Sequence, residues 1–100
     1  MDTTPAKPEL VSTTLKDVGE GYCILTREGL LPQILWVGWA EDPGDIYEIE
    51  LEDESYLLGS GSTPVSAIWH EDAGSVTAAE LATAPARATL GNYVPAPKNS

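Results

Sequence analysis

Carboxylates dominate the residues of this chain that could do chemistry. Glu41, Asp42, Asp45, Glu48, Glu50, Glu52, Asp53 and Glu54 put eight acids into fourteen residues. From Glu28 to Ala86, a span of 59 residues, there are twelve acids and no Lys or Arg. Alternate residues of a strand stand about 6.8 Å apart on one face. Glu48, Glu50 and Glu52 would therefore form a row of carboxylates that no base from residues 28–86 can neutralise. Such a row repels itself, an effect that salt weakens. It suits a basic groove on another protein, including one shaped for a phosphate backbone. The plainer reading is a solvated strand face with acidic turns, whose charge also blunts a sheet edge.

Other chemistry has less to work with. Calcium takes about six to eight oxygens converging from a tight loop. Here Pro43 and Gly44 interrupt the acids and a strand splays the rest, so no metal site is assigned. His70-Glu71-Asp72 contains the only histidine, and Cys23 is the only cysteine. Together they are too few for a His-rich or thiolate zinc site. Cys23 and His70 could in principle form a nucleophile and base. Cys23, however, sits in an apolar strand, where a free cysteine is commonly an inert core residue. Gly59-Ser60-Gly61-Ser62 lacks the Gly-Lys-Ser/Thr of a phosphate loop and reads as a flexible loop. No catalytic residue and no cofactor is expected.

The elements that must position these acids read as β. Tyr22 to Thr26 is a short run rich in strand formers, and Arg27-Glu28-Gly29 supplies a turn. Gln33 to Ala40 follows, apolar on both sides, which predicts a central strand covered on both faces. Gly38 between Val37 and Trp39 predicts a bulge or a close backbone approach. Asp42-Pro43-Gly44-Asp45 is a turn by its chemistry. The next strand alternates cleanly, with Tyr47, Ile49 and Leu51 on one side and Glu48, Glu50 and Glu52 on the other. Asp53-Glu54 turns the chain into Ser55 to Leu58, and Pro64 to His70 is the last strand. Thr77 and Glu80 have capping-box spacing, with Val76 and Leu81 as a hydrophobic staple. The helix they start, residues 78–84, ends before Pro85.

This pattern predicts a mostly β fold: a small antiparallel β-barrel or sandwich of about five strands with one short C-terminal helix. Residues 1–17 read as an extended N-terminal arm rich in Thr and Pro. Residues 18–84 form the β-rich core, and 85–100 a Pro-rich C-terminal arm. Seven aromatic residues, three Trp and four Tyr, include no Phe, so every ring has a polar tip suited to half-buried positions and interfaces. Trp36 and Trp39 have opposite parity on one strand. One of them must therefore cover a second surface, a helix or a partner.

Sixteen acids against five bases give a formal net charge of −11. That argues against direct contact with nucleic acid and with anionic membranes. No apolar run reaches the length of a membrane span. A single cysteine and a Met1–Pro5 start without signal-peptide character predict a cytoplasmic, reducing setting, or a particle assembled there. The expected function is non-enzymatic protein binding, as a small structural or assembly accessory protein with viral-shell-like organisation. Its partner is another protein, basic on its surface, a second copy or a larger assembly. An acidic nucleic-acid mimic that inhibits a basic protein is the alternative, and a small enzyme using His70 and Cys23 is a remote third. The expected contact residues are Glu48, Glu50, Glu52, Asp53, Glu54 and Trp39.

Overall fold

The structure is a computed structural model that describes residues 10–41 and 45–97. Within them, strand-forming runs and tight turns produce β1 (Val11–Thr14), β2 (Tyr22–Thr26), β3 (Gly29–Leu30), β4 (Ile34–Glu41), β5 (Ile46–Leu51), β6 (Tyr56–Ser60), β7 (Pro64–Trp69) and β8 (Asn92–Val94). They form two antiparallel four-stranded sheets, ordered β1-β7-β2-β3 and β4-β5-β6-β8. The architecture is mostly β, as the alternation predicts, and neither sheet closes into a barrel.

The strand count exceeds the expected five because both arms contribute. Val11 to Thr14 pairs with β7 and Asn92 to Val94 with β6. These stretches read as extended arms because their partners are remote in sequence: Val11 faces Ala67, and Tyr93 faces Leu57. The outer parts of both arms, residues 1–9 and 98–100, lie outside the described residues, as does most of the expected 42–45 turn.

One core draws on both sheets. Ile24 and Ala67 come from the first, Ile49 and Leu57 from the second, and all four are fully buried. Burying such a side chain contributes about 1.5–3 kcal/mol. A second cluster covers the other face of the first sheet, where Cys23, Leu25, Ile68 and Ala84 meet Val76 and Leu81. The strands covered on both faces are therefore β2 and β7. β4, expected in that role, is an edge strand with Leu35, Trp36 and Trp39 exposed by 52, 43 and 59%. An apolar pattern on both sides does not separate a buried strand from one that shows its aromatics to solvent.

Two helical turns close the second cluster, and a third adds Leu90 to the shared core. A 3₁₀ helix spans His70–Ser75, α1 spans Ala78–Ala82 and α2 spans Arg87–Leu90. The capping box forms as expected: Glu80 N donates to Thr77 Oγ1 at 3.2 Å, and Thr77 N donates to Glu80 Oε1 at 2.8 Å. α1 stops at Ala82, short of the expected 84, where the N–H of Thr83 turns back to the carbonyl oxygen of Glu80 at 3.2 Å. Gly59 and Ser60, expected in a flexible loop, finish β6. Among the described residues, no helix is long and apolar enough to cross a membrane.

Candidate functional site: the outer face of the second sheet

β5 divides its side chains as its sequence requires. Ile49 and Leu51 enter the core, while Glu50 is exposed and Glu48 half-buried on the opposite face. Cross-strand register then assembles two rows on that outer face. Trp36, Glu50, Tyr56 and Val94 stand side by side across β4, β5, β6 and β8. Gly38, Glu48, Leu58 and Asn92 form the neighbouring row. Directly opposed side chains of neighbouring strands stand about 4.5–5.5 Å apart at Cβ. Glu50 is thus set between an indole and a phenol.

Two bulges in β4 create this arrangement. From Ile34↔Leu51 to Trp36↔Glu50, β4 advances two residues while β5 advances one. The extra residue is Leu35. It reverses the side-chain parity, so Ile34 and Val37 both face the core while Trp36 turns outward. Trp39↔Tyr47 to Glu41↔Ile46 repeats the shift at the other end. Gly38 lies in unbroken register between the two bulges, and what approaches it closely is the Trp36 ring rather than the expected backbone. A side chain there would sit about 2.1 Å from the Trp36 ring, so the indole lies across the glycine.

A groove of about 310 Å³ opens beside these rows, lined by Glu48, Glu50, Glu52 and Glu54 with Leu35 and Tyr56. Four of the six expected contact residues meet there. Asp53 does not: its Oδ1 accepts from the backbone N of Ser55 at 2.9 Å and from the Ser55 hydroxyl, which is buried. These bonds hold the Asp53 carboxyl below its ordinary range. They brace the turn in which Glu54 takes a left-handed φ of 73°. Trp39 stands at the far end of β4 opposite Tyr47. Leu35, Trp36 and Tyr56 also stand beside the acids, although they are not among the expected contact residues. Only the bulge and the register bring them to the acids, although the opposite parity of Trp36 and Trp39 had marked one of the two.

The electrostatics of the face is one-signed. Burial, then the charge of Glu50 and a hydrogen bond with it, raises the Glu48 carboxyl above its ordinary range. Among the described residues the two arginines are engaged elsewhere. Arg27 Nε donates to Ala84 O at 2.9 Å, and Arg87 lies 4.5 Å over the Tyr93 ring. Glu28, beside Arg27, accepts the backbone N–H of Arg87 at 3.3 Å, which lowers its carboxyl. The two arginines that bracket the base-free stretch therefore meet near one clasp. Lys16 follows β1 in the loop before β2.

Two predictions follow from these shifts. A carboxyl raised in the folded state binds its proton more tightly there, so ionising it works against folding. The contribution of Glu48 is thus most favourable below the unfolded value near 4.5 and declines as pH rises through the higher folded value. Glu48→Gln should raise stability at neutral pH by about 0.5 kcal/mol, the scale of an exposed like-charge contact. Thermal melts at pH 7 and pH 4 check this, and a gain of the same size at both pH values would refute it. Asp53 has the opposite sign. Its lowered carboxyl stabilises the fold above the unfolded value near 3.8 and loses that effect as pH falls through the lower folded value. Asp53→Ala should cost about 1 kcal/mol at pH 7 in urea denaturation, a figure reduced for exposure. No loss would mean that the turn holds without it.

The other chemical candidates do not converge on this face. Burial, and secondarily the charge of Glu52, raises the Cys23 thiol, the direction opposite to that of an activated nucleophile. His70 Nδ1 lies 2.9 Å from Gly21 O, and its ring packs 4.7 Å from that of Trp69. Among the described residues, no three His, Cys, Asp or Glu side chains gather where a metal ion could sit. No protein-family model, curated protein or solved structure matches the chain.

Proposed function

We propose that this chain is a non-enzymatic protein-binding module that receives a basic partner on the outer face of its second sheet. One observation carries the reading: exposed Leu35 and Trp36, with Tyr56, border Glu48, Glu50 and Glu52, and no strand of that sheet contributes a Lys or Arg among its described residues. A solvated face has no need of tryptophan, whereas interface centres are rich in Trp and Tyr. One-signed charge around them favours rapid encounter with an oppositely charged surface. A nucleic-acid-binding protein is one member of that partner class, and the carboxylate row would then stand in for phosphates.

A role in assembly is the second reading. Leu10 and Val11 are exposed at the edge of the first sheet that β1 forms. The two readings separate in one experiment. Partners captured from the native source are compared between the unmodified chain, a Glu48→Gln/Glu50→Gln/Glu52→Gln variant, and a chain trimmed of residues 1–9. Interaction at the acidic face predicts about tenfold or greater loss of the captured partner in the triple variant, and loss at high salt, with little effect of trimming. A partner retained by the triple variant but lost on trimming would replace this reading with the assembly role.

A further inference from the structure

Resting on that reading, the geometry points to the chemistry of the partner: we infer that the face takes an extended, arginine-bearing protein segment, with guanidinium groups seated against Trp36 and Tyr56 and paired to Glu50 and Glu48. Among the described residues the face is an unpartnered sheet surface, and three properties choose its occupant.

The first is the register. Glu50 stands between Trp36 and Tyr56 in one row, while the Trp36 indole lies across Gly38, whose register partner is Glu48. Each of these carboxylates thus has an aromatic surface beside it. A planar guanidinium stacks on such a surface while donating in its own plane to a carboxylate, and its weak hydration lowers the cost of leaving water. A lysine ammonium is a more strongly hydrated point charge and uses the rings less well.

The second is spacing. Glu48 and Glu50 alternate on β5, so their side chains repeat at about 6.8 Å. An extended partner segment running along β5 presents alternate side chains at the same interval, so an Arg-x-Arg pair would match both carboxylates.

The third is charge complementarity, which excludes a second copy. The chain carries a net charge of −11. Two such faces in contact would set Glu48, Glu50 and Glu52 against their own copies, with no described Lys or Arg in these strands to intervene. Nucleic acid and anionic lipid fail for the same reason.

The test uses the full chain, isotopically labelled, titrated with a peptide of alternating Arg and Gly and with its Lys and citrulline counterparts. Nuclear magnetic resonance follows the Trp36 indole N–H and the backbone amides of Glu50 and Tyr56. The Arg peptide should shift these signals and bind about fivefold more tightly than the Lys peptide, and the uncharged citrulline peptide should not bind. Trp36→Leu and Glu50→Gln should each weaken the Arg peptide about tenfold. If Trp36→Leu perturbs the fold, Tyr56→Leu takes its place. Equal binding of Arg and Lys peptides, unchanged by Trp36→Leu or Tyr56→Leu, would overturn the arginine inference while leaving a basic partner in place. Binding of the citrulline peptide would also overturn it. Failure of all three peptides would remove both the inference and the reading beneath it.

Discussion

Gly91→Ala should destabilise the fold by about 3–5 kcal/mol, the largest effect expected of any single methyl group added to this chain. Gly91 ends α2 with φ of 124° and ψ of −163°, a region essentially reserved for glycine. A side chain there would sit 2.2 Å from the carbonyl oxygen of Leu58 and 2.7 Å from the Cα of Gly59. Gly59 has the reciprocal constraint, since a side chain on it would sit 2.2 Å from the carbonyl oxygen of Leu90. Two backbones therefore touch where α2 passes over β6, and no side-chain rotation relieves the contact. This approach also seats Leu90, which is fully buried in the shared core. A domain of this size is stable by only about 5–15 kcal/mol. Each kcal/mol lost lowers its melting midpoint by about 4–8 °C. Circular dichroism melts of Gly91→Ala should accordingly show a fall of well over ten degrees, and a change of a degree or two would mean that β6 and α2 do not meet this closely.

Ile49→Ala should cost about 2–5 kcal/mol, while its neighbour Glu50→Gln should leave stability nearly unchanged. Ile49 is fully buried on β5, paired with Val37 on one side and Leu57 on the other. Truncation there opens a cavity in the core that both sheets share, and interiors relax only partly around such a loss. Glu50, one residue away, leaves an exposed position and removes a charge from a crowded row. The contrast between the two, measured by urea denaturation, tests the placement of the whole strand. Similar losses from both variants would mean that β5 does not divide its faces as described.

That division was legible in the sequence because it depends on a period of two over six residues, and so were the capping box at Thr77 and the turn at Asp53. Each is a local signal. What was not legible depends on residues far apart. β1 and β8 are recognisable as strands only beside β7 and β6, and a Thr- and Pro-rich stretch reads equally well as a loose arm. The bulge at Leu35 inserts one residue without a compositional mark, yet it decides which way Trp36 points. It also explains why β4 looked like a central strand. The acids that line the groove, Glu48, Glu50, Glu52 and Glu54, could be named from their spacing. Leu35 and Tyr56 could not, because nothing near them in sequence announces that register will bring them to those acids. Asp53 belongs to the same acidic run, but local hydrogen bonds commit it to the turn.

The strand order also carries a kinetic consequence. β7 pairs with β1 and β2, and β8 with β6, each across a long stretch of intervening chain. Pairings this remote close slowly, because loop entropy is lost before contact energy is gained. Folding should therefore pass through a stage in which the local β2–β3 and β4–β5–β6 pairings exist while the edges later covered by β7 and β8 are still open. Apolar β4 would be the most hazardous edge at that stage and remains an edge afterwards. Its two bulges leave only Trp36 to Trp39 in unbroken register, too short a template for neighbouring chains to extend into a common sheet. The irregularity that turns Trp36 outward thus also keeps newly made copies of the chain apart.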